Sequence, residues 1–224
     1  MWTDVKIAIV GGTGGLGEGL AKRFSLKHEV VVGSRDKDKA QRAASQFHED
    51  VARLGHSVSI QGSDNGSAVS DAQVTILAVP HDFALSTVEA LKNNLSKDSV
   101  LVCPVVPMTK TKYGFSYIPP NEQDVGSMAE AVAKISPVPV VAAFHTLPAR
   151  RLADVSKPLD LDVPVCGDDQ SALQVVTKLI SETPNLRPLL VGGVASSRLV
   201  ESVTPLILNI SVRNKLRDLA IKFV

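Results

Sequence analysis

The sequence predicts an α/β chain built on a doubly wound parallel sheet, with a small C-terminal helical extension. Three observations lead there. Short β-branched runs recur through the first half, at residues 5–10, 29–33 and 74–79. Apolar residues between them repeat at three- and four-residue spacing, which marks one face of a helix. A glycine-rich turn, Gly11-Gly12-Thr13-Gly14-Gly15-Leu16-Gly17, joins the first run to the first helix. Strands that alternate with crossover helices make a parallel sheet covered on both faces.

Taken in order, 5–10 reads as a buried strand, and Leu16, Leu20 and Phe24 at spacing four form one helix face. A second strand at 29–33 leads into a helix over 36–54, where Ala40, Ala43, Phe47, Val51 and Leu54 recur and Gly55 stops the run. Residues 57–61 are a short strand, and 74–79 a fourth, ended by Pro80. A helix over 82–95 carries Phe83, Val88, Leu91 and Leu95, and 99–102 is the fifth strand. The stretch 104–120 breaks the rhythm with proline, lysine and tyrosine and reads as a long ordered loop, a type of segment that is often functional. A helix at 126–135 and a strand at 138–144 follow. Residues 162–166, a helix near 170–181 and 188–191 form one more α/β extension, and 195–224 is mostly helical. The expected division is an N-terminal unit, 1–150, and a C-terminal extension, 151–224. No linker separates them, so the two must share a core.

Composition narrows the function. Lys and Arg number 24 against 23 Asp and Glu, a net charge of +1, so no basic field exists to hold nucleic acid. Aromatics at 4% are too few for a base-stacking platform. Two cysteines, Cys103 and Cys166, stand far apart in apolar runs and predict buried reduced thiols rather than a disulfide. The first six residues lack the basic and apolar regions of a secretion signal, and no apolar run reaches the length of a membrane span. The expectation is a soluble, cytoplasmic chain that works on neither membrane nor nucleic acid.

The glycine turn contains G-x-G-x-x-G as Gly12, Gly14 and Gly17. It stands where a dinucleotide-binding (Rossmann-type) unit needs it, directly after a strand and opening a helix. Gly12 permits the tight turn, Gly14 lets the backbone approach a pyrophosphate, and Gly17 allows close helix–strand packing. The helix N-terminus then offers its amides to the anion. At the end of the second strand an NAD site would place Asp or Glu, but this chain has Gly33-Ser34-Arg35. A serine hydroxyl and a guanidinium suit a 2′-phosphate. Lys39, one helical turn beyond Arg35, adds a second positive charge. The reading is NADP over NAD. The fourth strand ends at Val79-Pro80-His81, where the ligand crevice of such a sheet opens. There His81 reads as a polar helix cap rather than a catalyst.

Two polar stretches remain, His145-Thr146-Leu147-Pro148-Ala149 after an apolar strand and Ser197-Arg198-Leu199-Val200-Glu201-Ser202. Arg198 and Ser202, four apart, share a helix face. Together with the glycine turn, Val32-Gly33-Ser34-Arg35 and Val163-Pro164-Val165-Cys166-Gly167-Asp168-Asp169, they stand in the order and spacing of a known family. Nearly end to end, the chain resembles the archaeal NADP oxidoreductases that use the deazaflavin coenzyme F420. The resemblance implies reversible hydride transfer between reduced F420 and NADP+, a homodimer, and an F420 cleft between the NADP-binding unit at 1–150 and the extension at 151–224.

Residue by residue, the resemblance implies that Thr13, Gly14, Gly15 and Leu16 hold the pyrophosphate and that Ser34, Arg35 and Lys39 hold the 2′-phosphate. Val79, His81, Leu85 and Ala149 would line the rest of the NADP site. His145, Leu147, Arg198, Ser202 and Thr204 would face the deazaflavin. His145 is expected to polarise its pyrimidine end, with Ser202 and Thr204, and Leu147 to set the ring-to-ring geometry, so these two carry the transfer itself. Arg198 and Lys110 or Lys112 are candidates for the negative tail of F420. No metal is expected. Two other readings stay open at this stage: an NADPH-dependent reductase of a small carbonyl or imine, and a non-enzymatic NADP sensor.

Overall fold

The computed structural model describes residues 5–120 and 126–224. The N-terminal stretch 1–4, read above for a leader, lies outside the described residues. The chain runs β1 (Lys6–Val10), α1 (Gly15–Phe24), β2 (Glu29–Ser34), α2 (Lys37–Ala52), β3 (Ser59–Asp64), α3 (Asn65–Val69), β4 (Val74–Leu77) and, after a 3-10 turn at His81–Phe83, α4 (Ala84–Leu91). Then come β5 (Val100–Cys103), β6 (Met108–Thr111), β7 (Gly114–Tyr117), α5 (Met128–Ile135), β8 (Val140–Ala142), α6 (Ala149–Ala153), β9 (Leu161–Gly167), α7 (Gln170–Glu182), β10 (Leu186–Gly192) and α8 (Ser197–Asn214).

One sheet has the order β10-β9-β8-β5-β4-β1-β2-β3. Its strands pair in parallel except β8 with β9, which is antiparallel. The predicted parallel sheet is thus present, with this one pair as its exception: β9 and β10 run together, opposite to the other six. Side chains alternate across the sheet. In β1, Ile7 and Ile9 enter the core under α1, α2 and α7, and Ala8 and Val10 enter the one under α3, α4 and α5. That two-sided burial is why the strands read as unbroken apolar runs. The first core continues through Leu147 and Leu152 to Leu161 and Val163, so the chain on either side of residue 150 shares it. The sequence reverses direction between β1 and β4, and a crevice opens at the carboxyl ends of such neighbouring strands.

Several boundaries differ from the sequence reading. Strand β4 stops at Leu77, because Pro80 and the 3-10 turn take the chain away. Strands β3 and β8 are displaced or shortened, and two short helices, α3 and α6, carried too few residues to show a period. The stretch 104–120 is not a plain loop, since it holds the antiparallel hairpin β6–β7. Residues from α8 make it so. Asn209 bonds both backbone groups of Phe115 (2.7 and 2.8 Å), Arg213 reaches the Tyr113 carbonyl at 2.9 Å, and Glu201 accepts the Tyr117 hydroxyl at 2.8 Å.

Glu201 is fully buried. Besides Tyr117 it accepts the amides of Met128 (2.9 Å) and Ala129 (3.1 Å), capping α5 from another helix. Ser197 meets Ser127 at 2.7 Å alongside. The buried face of the 197–202 motif thus fastens α8 to α5 and to the hairpin. Burial pushes the Glu201 carboxyl up to about 7, opposed by the two amides. The folded chain therefore holds an extra proton between the ordinary carboxylate range and pH 7. This contribution to stability is complete below the ordinary range and is lost as pH rises through about 7. Denaturation midpoints of the parent should fall, relative to those of Glu201→Gln, between about pH 4.5 and 7.5. Parallel pH profiles for the two proteins would show that Glu201 stays ionised throughout.

Candidate functional site

At the carboxyl ends of β1, β2 and β4 lies a cleft of about 800 Å³. Gly11, at φ +73°, makes the turn out of β1, and a Cβ there would meet the Ala78 carbonyl at 2.7 Å. The left-handed position is therefore Gly11 rather than Gly12, whose own constraint is contact with Ile9 and Val32. Gly17 packs against Gly12 so closely that a Cβ would lie 2.5 Å from its backbone, as the glycine spacing requires. Gly14 caps α1 without a side-chain hydrogen bond, and no atom lies nearer than 3.7 Å to where its Cβ would stand. The amide end of α1 is thereby open to an anion.

Of the residues that the sequence assigns to NADP, Thr13, Gly14, Gly15, Leu16, Ser34, Arg35, Lys39 and Val79 line this cleft. Ser34 accepts the Asp36 amide at 3.2 Å, which leaves its hydroxyl proton for a ligand. Arg35 and Lys39 are exposed beside it. Sequence reasoning missed several members, three of which stand out. The Arg35 guanidinium stands over the ring of Phe83, 5.4 Å from the centroid, a contact that orients the charge. Asp64 takes both the amide and the hydroxyl of Ser67, and these hold its carboxyl below the ordinary value. The buried Asn65 Oδ1 has no hydrogen-bond partner among the described residues, a group that a bound nucleotide can satisfy. No local pattern marks these residues; strand order brings β3 beside β2.

Two predicted members stand elsewhere. His81 opens the 3-10 turn with Nε2 3.2 Å from Asp82, and Leu85 packs against the core. Neither lines the cleft, because the face that α4 and its turn present there is Phe83, Ser86, Thr87, Ala90 and Leu91. Those five follow helical spacing, and Leu85 falls between them.

A second cleft, of about 540 Å³, is lined by His145–Arg150, by Thr204, Ile207, Leu208 and Ser211 of α8, and by Arg217–Leu219. His145, Leu147, Ala149 and Thr204 meet here. The Thr204 hydroxyl donates to the His145 carbonyl at 2.9 Å, so it positions the segment. The His145 ring is buried, burial lowers its pKa to about 3, and neither nitrogen has a hydrogen-bond partner among the described residues. It is a neutral imidazole with unused bonding capacity. Arg198 and Ser202 are not in this cleft. Counted the short way around α8, Ser202 stands about 160° and Arg198 about 120° from Thr204; Arg198 lies against Gly126, and Ser202 bonds the Leu199 carbonyl. Lys112 stacks on Tyr113, 4.9 Å from the ring centroid. Neither Lys110 nor Lys112 lines the cleft.

The two clefts meet at Ala149, whose Cβ is 3.6 Å from where a Cβ of Gly15 would lie. Helices α1 and α6 hold that junction. Gly19 admits Leu152 into space that any side chain would fill. The buried Arg23 donates to the carbonyls of Leu152 (2.9 Å), Arg151 (3.0 Å), Lys157 (2.9 Å) and Asp154.

Residues 6–107 match the family described as NADP oxidoreductase, coenzyme F420-dependent. The chain is 35% identical over 222 residues to the F420-dependent NADP reductase of Methanothermobacter thermautotrophicus, covering 97% of this chain and 94% of that one. It is 34% identical to the F420-dependent NADP reductase of Methanocaldococcus jannaschii, covering 97% of each. The chain belongs to the F420-dependent NADP reductase family. A solved chain from Arthrobacter sp. FB24 shares the fold at TM-score 0.77 and 22% identity, over 98% of this chain and 99% of that one. Synechocystis arogenate dehydrogenase shares it at TM-score 0.61 and 16% identity, over 84% and 59%. Among the described residues no helix is long and apolar enough to cross a membrane, and no cluster of His, Cys, Asp and Glu could hold a metal.

The basic end of the first cleft, at Arg35 and Lys39, can be probed directly. A hydrogen bond to a charged group is worth ~1.5–3 kcal/mol, so Arg35→Ala should weaken NADP binding by roughly 10- to 150-fold and leave NAD nearly unchanged. Paired titrations with the two nucleotides check this. Equal losses for both would place Arg35 away from the 2′-phosphate.

Proposed function

We propose that the chain transfers hydride reversibly between reduced F420 and NADP+, with NADP along the glycine turn and the deazaflavin in the second cleft. The observation that carries this reading is the junction at Ala149, where a cleft suited to a dinucleotide adjoins one with an apolar floor. The cradle at Gly14 and Gly15 and the unpartnered Asn65 fit a nucleotide; the unpartnered His145 imidazole fits a polar ring edge in the second cleft. The nicotinamide and the deazaflavin, when bound, supply the carbon atoms that give and take hydride, so no acid or base is needed at the reacting atoms.

The chain's own part is placement. The amides around Thr13, Gly14, Gly15 and Leu16 receive the pyrophosphate. Ser34, Arg35 and Lys39 receive the 2′-phosphate, and Val79 lies under the nucleotide. Leu147, Pro148 and Ala149 form a compact apolar floor that excludes water and fixes ring against ring. His145 offers a hydrogen bond without taking up charge at neutral pH, and Thr204 sets its backbone. On this reading the division at residue 150 is one of ligand rather than of folding: 1–150 serves NADP, and 151–224 closes the deazaflavin side. The two buried free cysteines suit the reducing cytoplasm.

Mixing the protein with NADPH and oxidised F420 should bleach the deazaflavin absorption band. FMN in place of F420 should give no comparable rate. An equal steady rate with FMN would overturn the assignment.

We also infer a homodimer that uses α8. Leu199, Leu206, Ile210, Val212 and Leu216 are exposed along this helix and just past its end, more apolar surface than one helix of a monomer ordinarily leaves open. Sedimentation at micromolar concentration should show a dimer, and Leu206→Glu should shift it toward monomer. A parent that sediments only as monomer would remove the dimer.

A further inference from the structure

The second cleft has a charged edge that hydride transfer does not use. Its floor is apolar, from Leu147, Pro148, Ile207 and Leu208, yet Arg150 and Arg217 also line it. Both arginines are exposed, and neither side chain has a hydrogen-bond or ion-pair partner among the described residues. Their basic neighbours are committed: Arg23 to four carbonyls, Arg151 to the Leu159 carbonyl, and Lys157 to Asp154 at 2.7 Å. Asp218 is the one acidic side chain on the lining, so the edge carries two positive charges and one negative.

Arg150 also lines two adjoining grooves. One reaches Gly15 and Glu18, and the other runs outward past Lys157 and Pro158. It therefore marks the point where the second cleft opens to solvent. It stands at the start of α6, the helix whose carbonyl end Arg23 clamps, so its backbone is held even though its guanidinium is free. An apolar slot with two unpaired guanidiniums at its mouth suits a molecule that has a flat ring at one end and a phosphodiester or carboxylates at the other.

We propose that Arg150 and Arg217 bind the anionic tail of the deazaflavin substrate while its ring lies against Leu147 and Pro148. This rests on the reading of the second cleft given above. It replaces Arg198, Lys110 and Lys112, which the fold carries away from that cleft.

The test compares oxidised F420 with the same deazaflavin on its ribityl chain lacking the phosphate-bearing tail. Each is titrated against the whole protein by its own fluorescence. In Arg150→Ala and in Arg217→Ala, the Kd for F420 should rise roughly 2- to 5-fold, while the Kd for the tail-less compound stays put. Added salt should weaken F420 binding to the parent and leave the tail-less compound unaffected. With NADPH present, KM for F420 should rise while kcat holds. Equal shifts for both deazaflavins, or none for either, would overturn the proposal. A shift in NADP affinity instead would also overturn it and place Arg150 on the pyrophosphate side through the groove at Gly15. A parent that binds and reduces both compounds, with indifferent variants, defeats this inference alone. A parent that binds neither defeats the deazaflavin reading with it.

Discussion

The distance between the two clefts depends on the contact of α1 with α6. Helix α1 begins at the glycine turn, and α6 begins at Ala149, so the way these two helices pack sets how the two clefts adjoin. Gly19 lets Leu152 come closer than any side chain would permit. Arg23 then closes the contact by bonding four carbonyls at the end of α6 and in the loop after it. A buried guanidinium is tolerated only when its donors are used, and here carbonyls without helical partners supply the acceptors. Each group satisfies the other's hydrogen-bonding need, and the result is a fixed junction rather than a hinge.

The same logic recurs on the far side of the molecule. Glu201 is a carboxyl with no solvent contact, and it meets the free amides at the start of α5 and the Tyr117 hydroxyl. Helix α8 thereby acquires two faces with different work. One is buried and carries Glu201, Ser197 and Pro205; another presents Thr204, Ile207, Leu208 and Ser211 to the second cleft. The apolar side chains left over point outward. This single helix therefore joins hairpin, α5 and ligand cleft, and the polar residues along it are divided among those tasks by angle alone.

Charge is sorted in a comparable way around the sheet. At the end of β2 and the start of α2, Ser34, Arg35 and Lys39 leave their bonding capacity toward the cleft, and Phe83 orients the guanidinium from the 3-10 turn before α4. His145 shows the opposite treatment. Its burial removes the charged form at neutral pH, so the imidazole brings no charge to the floor of the second cleft. An uncharged floor suits a reaction between two carbon atoms.

The alternating pattern, the glycine turn and the Gly33-Ser34-Arg35 end of β2 were readable in the sequence because each follows from local geometry. A strand that must reach a phosphate ends in glycines, and a helix that must bury one face repeats its apolar residues. The resemblance of the motifs at 145–149 and 197–202 carried the family and its two nucleotide-like substrates. What the sequence could not rank was which residues of a motif face a ligand. Arg198, Ser202 and Thr204 lie within seven positions, yet only Thr204 reaches the cleft, because a helix turns about 100° per residue and α8 is oriented by partners some 70 or more positions away, Met128 and Ala129. Phe83, Asn65, Arg23 and Arg150 were likewise silent. Their roles come from strand order and helix packing, which place β3 beside β2 and α6 against α1, and those contacts exist only once the chain has closed on itself.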